Sequence, residues 1–138
     1  MQELSQFITR KFTDVISLSD IEIETDTGWH QVTAIAKTVP YAGFQLTTET
    51  GLTLKCADDH IVFLEDMSQV FVKNLTSGDK ITTVNGTETV IQLLDLQEEV
   101  EMFDIAVNSG DHRFYSNGIL SHNTTIINAL CYALYNKP

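Results

Sequence analysis

The chain has 138 residues, of which 43% are hydrophobic and 20% charged, and its formal net charge is −11 at pH 7. This length suits one domain with a buried core, and the composition is typical of a globular chain rather than a disordered one. The negative charge argues against nucleic-acid binding, which needs clustered Lys and Arg, but it favours encounter with a basic partner.

Cysteine content and hydropathy argue against disulfide-rich, zinc-binding, membrane-spanning and secreted proteins. Cys56 and Cys131 are too few and too far apart for a disulfide scaffold or a zinc site, so we expect them to be small buried residues. No apolar stretch approaches the ~20 residues of a membrane span, and the N-terminus lacks the apolar segment of a secretory signal. We therefore expect a cytoplasmic protein that contacts no membrane.

The predicted elements are almost all strands. A short helix is expected over residues 4–12, where Leu4, Phe7, Ile8 and Phe12 recur at helical spacing. From Ile21 the period changes to two, and short strands alternate with turns as far as His122. The turns are expected at residues 26–28, 77–79 and 117–118 and around Gly51. This pattern predicts a compact, mostly β domain.

The final fifteen or so residues follow a different pattern. In "TTIINALCYALYNKP" five apolar residues share one helical face: Ile126, Ile127, Leu130, Ala133 and Leu134. We expect residues 1–123 and 124–138 to belong to two different folds.

The sequence His122-Asn123-Thr124, where the two patterns meet, carries chemistry. An Asn side-chain nitrogen can attack its own main-chain carbonyl, closing a succinimide and expelling the amine of the next residue. The departing nitrogen needs a proton and the oxyanion needs donors, which neighbouring histidines can supply. Thr124 adds a hydroxyl nucleophile beyond the bond. The tripeptide alone occurs by chance, but an ordered set with His60, Asp104 and His112 is more specific.

Three motifs extend this interpretation. The segments are "GLTLKCADDHIVF" (51–63), "NLTSGDKI" (74–81) and "MFDIAVNSGDHRFYSNGILSHN" (102–123). Together they resemble the inteins of the Hedgehog/intein (HINT) family, over roughly Ile21 to Thr124. The resemblance implies a horseshoe-like, mostly β HINT fold with a short N-terminal helix. It also implies self-catalysed protein splicing without a metal or other cofactor.

The resemblance also implies roles for six residues: His60, Asp104, His112, His122, Asn123 and Thr124. His60 would act at the bond before the intein, and Asp104 would orient or activate the first nucleophile. His112 and His122 would assist cyclisation of Asn123, and Thr124 would attack the thioester. At the position where the motif usually has Thr, this chain has Ala57, so one expected hydrogen bond is in doubt.

A second departure lies at the start, where inteins have a Cys or Ser nucleophile and this chain has Met1. The expectation is a C-terminal fragment of an atypically split intein, completed by a short N-terminal fragment that carries the initiating Cys and is basic. A truncated chain is the alternative.

The C-terminal segment resembles the second half of a P-loop followed by its helix, as in SMC-like ATPases of phage-type recombination nucleases. An upstream segment ending in Gly-Lys would complete the loop on ligation to Thr124. An arbitrary helical tail is the alternative.

The predicted function is therefore protein trans-splicing. One alternative is a Hedgehog-type autoprocessing domain that cleaves without ligating. Another is a non-catalytic β-domain that acts as a binding module fused to an ATPase fragment.

Overall fold

The computed structural model describes residues 12–108 and 110–122, which form eleven strands and one 3₁₀ turn. The strands are β1 Phe12–Thr25, β2 Gly28–Thr38, β3 Tyr41–Thr48, β4 Thr53–Ala57, β5 Ile61–Phe63, β6 Gln69–Phe71, β7 Lys80–Thr83, β8 Gly86–Val100, β9 Phe103–Val107, β10 Arg113–Ser116 and β11 Ile119–His122. The 3₁₀ turn is Val72–Asn74. The predicted mostly β fold is confirmed. The helix expected within residues 124–138 lies outside the described residues. Residues 4–11 of the expected N-terminal helix also lie outside them.

Strand β1 begins earlier than the sequence predicts. Phe12, expected to end a helix, is its first residue, and the strand continues through residues assigned to no element. The pairing of β1 with β2 shifts register between Ser17 and Ile21. Such an irregularity breaks the alternation of inward and outward side chains, so the period-two pattern becomes visible only from Ile21.

The described strands form two antiparallel sheets. The smaller sheet has the order β1-β2-β9, and the larger has the order β4-β3-β8-β7-β11-β5-β6, with β10 also paired to β11. Strand β8 pairs with β7 through its first residues and with β3 through the rest, so one long strand connects two parts of the larger sheet.

The hydrophobic core is formed by buried side chains from strands of the larger sheet and from the 3₁₀ turn with its following residue. Its members are Leu46, Leu54, Cys56, Val62, Val72, Leu75, Ile81, Val90 and Ile119. Full burial of one Val, Leu or Ile side chain is worth about 1.5–3 kcal/mol, so this cluster is a major source of folding free energy. Cys56 is buried, as expected from the sequence.

The turn at Asn117 and Gly118 is confirmed, and its surroundings hold it in place. Both residues have positive φ, 47° and 83°, which is the conformation of a type I′ hairpin turn. The side-chain amide of Asn117 donates to the Thr53 carbonyl oxygen at 3.0 Å. A Cβ on Gly118 would lie 3.0 Å from a methyl carbon of Leu52. This turn therefore favours glycine for its backbone angle and for the close approach of Leu52.

A buried carboxylate joins two other turns. Glu88 is 3% exposed, and one of its oxygens accepts from the hydroxyls of Thr48 and Thr50, each at 2.6 Å. The other oxygen accepts from the Thr83 hydroxyl at 3.1 Å and the Asn85 amide at 2.9 Å. These hydrogen bonds, led by that of Thr48, outweigh desolvation and lower the pKa of Glu88 to about 2.

The variant Glu88→Gln is expected to lose about 1–3 kcal/mol of unfolding free energy at neutral pH, because an amide cannot accept from all four donors. In the wild type the carboxylate's contribution is present above its ordinary pKa of 4.5 and is lost as pH falls towards about 2. Urea unfolding at pH 7 and near pH 3 should therefore show a smaller gap between wild type and variant in acid.

Glu65→Gln provides the control, because Glu65 is exposed and its replacement should change stability little at either pH. A gap for Glu88→Gln that stays constant across this pH range would contradict the assignment of a lowered pKa.

Candidate active site

A cavity of about 270 Å³ lies between strands β4 and β9. Each of these is the last strand of its sheet among the described residues. The walls are mostly apolar, and their polar side chains include His60, Asp104, Ser116 and His122. Three of the predicted catalytic residues thus share one cavity, although they lie far apart in sequence.

His60 is held in a turn directly before β5. Its backbone N–H donates to the Ala57 carbonyl oxygen at 3.1 Å, and its own carbonyl oxygen accepts from the Val72 N–H at 2.8 Å. Its side-chain Nε2 lies 2.9 Å from the Ser121 hydroxyl oxygen. Ala57, which stands where the intein motif usually has Thr, therefore supports His60 through its main chain.

Asp104 enters the same cavity from β9. In the pairing of β2 with β9 it lies opposite Ala36, and its Oδ2 atom is buried. The site thus brings a carboxylate and the imidazole of His60 to one cavity, a combination suited to moving protons at a reacting bond.

The β10–β11 hairpin brings His112 and His122 together. His122 is buried at the end of β11, opposite Arg113 of β10, and His112 comes directly before β10 with φ of 56°. The two imidazole centroids are 6.2 Å apart. The Phe63 ring also lies 6.2 Å from that of His122. Asn123 and Thr124 lie outside the described residues, but Asn123 follows His122 directly in the chain.

Arg113 and Asp26 also support this hairpin, and neither was expected from the sequence. Arg113 Nη2 lies 2.7 Å from Asp26 Oδ2, and its Nε donates to Asp26 Oδ1 at 3.3 Å. Its guanidinium also lies 5.8 Å from the Phe63 ring centre. This bidentate contact ties the β1–β2 turn to the strand opposite His122. No local motif connects two residues so distant in sequence.

The described residues offer neither a metal site nor a membrane-spanning helix. Among them, no group of three or more His, Cys, Asp or Glu side chains is placed to hold a metal ion. Within residues 12–108 and 110–122, no helix has the length and hydropathy needed to span a membrane.

Comparison with known proteins identifies the fold. No protein-family model and no curated protein matches the chain. Among solved structures it is similar to the VidaL intein, with 28% identity, a TM-score of 0.70 and coverage of 74% of this chain and 69% of that one. It is also similar to a DnaB intein from Synechocystis sp. PCC 6803, with 21% identity, a TM-score of 0.68 and coverage of 78% and 81%. A consensus engineered intein with an atypical split site has 22% identity, a TM-score of 0.63 and coverage of 83% and 88%. The chain has the intein HINT fold, as its motifs predict.

The contact between Arg113 and Asp26 is expected to contribute measurably to stability. Their side chains are 24% and 21% exposed, and a bidentate, half-buried pair should give a coupling free energy of about 1 kcal/mol. A double-mutant cycle with Arg113→Ala and Asp26→Ala, read by urea unfolding, measures this coupling.

The pair Lys37 and Glu101 is the matched control. Its atoms lie 3.3 Å apart, but its side chains are 40% and 49% exposed, so its coupling should be close to zero. Equal couplings in the two cycles would contradict the structural role of Arg113.

Proposed function

We propose that this chain performs protein splicing in trans, as a single-turnover, self-catalysed reaction. The observation that carries the proposal is the cavity that His60, Asp104 and His122 share, at the end of the strand leading into Asn123. The intein fold supports protein splicing as the general activity. The roles of individual residues and the split arrangement are the finer parts of the proposal.

At the first junction, a Cys thiol from the N-terminal fragment attacks the carbonyl carbon of the preceding residue. A carbon–sulfur bond forms and the carbon–nitrogen bond breaks, giving a thioester. Asp104 accepts the thiol proton, which ends on the departing nitrogen, and His60 donates a hydrogen bond to that nitrogen. The Thr124 hydroxyl then attacks the thioester to form a branched ester and releases the Cys thiol.

At the second junction, the side-chain nitrogen of Asn123 attacks its own carbonyl carbon, and the bond to Thr124 breaks. The nitrogen that attacks loses a proton and the amine that leaves gains one. His122 and His112, whose ring centroids are 6.2 Å apart, would transfer these protons. The freed amine of Thr124 finally displaces the ester oxygen and forms the new peptide bond.

Surface features are compatible with a separate N-terminal fragment. The cavity lies between two strands that end their sheets, so an added strand could line it by pairing with either. At its rim Phe103 is 68% exposed, which offers apolar area to a partner. The net charge of −11 favours a basic fragment. The same fold accommodates an atypical split site in the consensus engineered intein.

In this reaction the chain divides after Asn123. Residues 1–123 form the excised splicing domain, and residues 124–138 are the start of the ligated host protein. The resemblance of that segment to a P-loop and its helix suggests a phage-type ATPase as host. Splicing would join an upstream Gly-Lys to Thr124, so that this hydroxyl serves first as nucleophile and then as a Mg²⁺ ligand.

The variant Asn123→Ala is expected to abolish release of residues 124–138, because alanine has no nitrogen to attack the carbonyl. The assay mixes the chain with peptides in which a tag ending in Gly-Lys precedes the Cys-initiated N-terminal segment of a structurally similar intein. Intact mass should reveal the tag joined to residues 124–138, and an excised 1–123 segment lighter by one water than the same segment with a free Asn carboxylate.

Asn74→Ala is the control for Asn123→Ala, since Asn74 is exposed in the 3₁₀ turn. Unchanged masses with a peptide that binds would overturn splicing. Tail release without ligation would instead indicate the cleavage-only alternative. If residues 124–138 stay attached in the wild type as well as in Asn123→Ala, the chain is a binding module.

The variant His60→Ala is expected to slow the first step by at least about 100-fold, because it removes the donor to the departing nitrogen. Tag release by an added thiol measures this step, and tail release should persist. His30→Ala is the matched control, because His30 lies 2.9 Å from the Thr27 hydroxyl and does not line the cavity. Equal loss of both steps would argue for a purely structural His60.

A further inference from the structure

Ser121 connects the two halves of the proposed site. Its side chain is fully buried in β11, and its backbone lies opposite Phe114 of β10 and Val62 of β5. Its hydroxyl oxygen lies 2.9 Å from His60 Nε2 and 2.6 Å from the Ser116 hydroxyl oxygen. A buried hydroxyl therefore bridges His60 and the β10–β11 hairpin.

The direction of these hydrogen bonds decides where the His60 proton resides. Each serine hydroxyl has one hydrogen to donate, and neutral imidazole has one donor nitrogen and one acceptor nitrogen. The two shortest contacts can form in either direction. If Ser116 donates to Ser121 and Ser121 donates to Nε2, the imidazole proton is on Nδ1. If Nε2 instead donates to Ser121 and Ser121 to Ser116, the Ser116 hydrogen is left with the Ile119 carbonyl oxygen at 3.5 Å, which is too long for a good hydrogen bond, so the first direction is favoured. The competing acceptor, the Ile119 carbonyl oxygen, is farther from the Ser121 hydroxyl, at 3.2 Å. In a two-residue hairpin this carbonyl also accepts from the backbone N–H of Ser116, so it gains less from the hydroxyl.

We propose that Ser121 is a positioning residue that holds neutral His60 in the tautomer with its proton on Nδ1. This inference rests on the proposed splicing function for its consequence, because His60 must present a proton to the departing nitrogen at the first junction. With Nε2 accepting from Ser121, His60 donates through Nδ1 alone.

The position of Ser121 adds a coupling between the two junctions. It directly precedes His122 and Asn123, so the strand that leads into the second junction also carries the hydroxyl bound to His60. The competence of the first junction thus depends on β11 being in place.

The decisive measurement is the tautomer of His60, determined from the two imidazole nitrogen chemical shifts of nitrogen-15-labelled protein. The full chain with Asn123→Ala keeps its C-terminal segment attached, and loss of one set of signals in His60→Gln assigns the ring. We expect a protonated Nδ1 and an unprotonated Nε2. A proton on Nε2 would overturn the proposal.

Thr and Val at position 121 form a matched pair that differs in the hydroxyl but hardly in volume. Ser121→Thr should keep the tautomer, whereas Ser121→Val should shift His60 towards a mixture with the proton on Nε2. If the Val variant does not fold, Ser121→Ala carries the same expectation. Ser77→Ala, at an exposed serine, should change nothing. An unchanged tautomer in the variant without a hydroxyl would refute the role of Ser121.

The splicing assay then separates this proposal from the function it rests on. Ser121→Val should slow thioester formation about 10-fold, with rescue by Ser121→Thr and a smaller effect on tail release. Equal slowing of both steps would reduce Ser121 to a packing residue. If neither the wild type nor any variant splices, but His60 has the expected tautomer in each, the splicing proposal fails and the hydrogen-bond assignment stands.

Discussion

The pairing of β11 is the constraint on which the candidate site depends. This four-residue strand pairs with β10, β5 and β7, and all four of its side chains are buried. Strands that are paired on more than one edge and buried on both faces have little freedom to shift. The strand therefore holds His122, which directly precedes Asn123 in the chain, at a defined point beside the cavity.

Register follows from the same pairing. Side chains alternate along a strand, so a slip of one residue would exchange the neighbours of Ser121 and His122. The observed register sets Ser121 against His60 and places His122 opposite Arg113. The two-residue turn that precedes β11 fixes this register, because hairpin register is set by loop length and turn type.

How far the sequence could predict this molecule depended on whether a feature is local. The hairpins could be predicted because alternation and turn residues are local. His60, Asp104 and His122 were named through motif resemblance, and the structure adds that they line one cavity. The contacts Ser121–His60 and Arg113–Asp26 could not, because each joins strands whose relative register appears only in the folded sheets. The roles assigned to the predicted residues remain predictions.

The buried carboxylate of Glu88 acts on the site through the turn before β11. It binds donors from the β3–β4 and β7–β8 turns and so holds those two turns together. Residues in or directly beside these turns also bond the β10–β11 turn. The Thr53 carbonyl, at the start of β4, accepts from the Asn117 side chain, and the Val84 N–H donates to the Gly118 carbonyl at 2.8 Å. A buried charge without hydrogen bonds would be strongly destabilising, so moving these donors away from Glu88 would cost free energy. Because disrupting the hydrogen bonds of Glu88 is costly, these bonds stabilise the register of β11. Through that register they also stabilise the contact between Ser121 and His60.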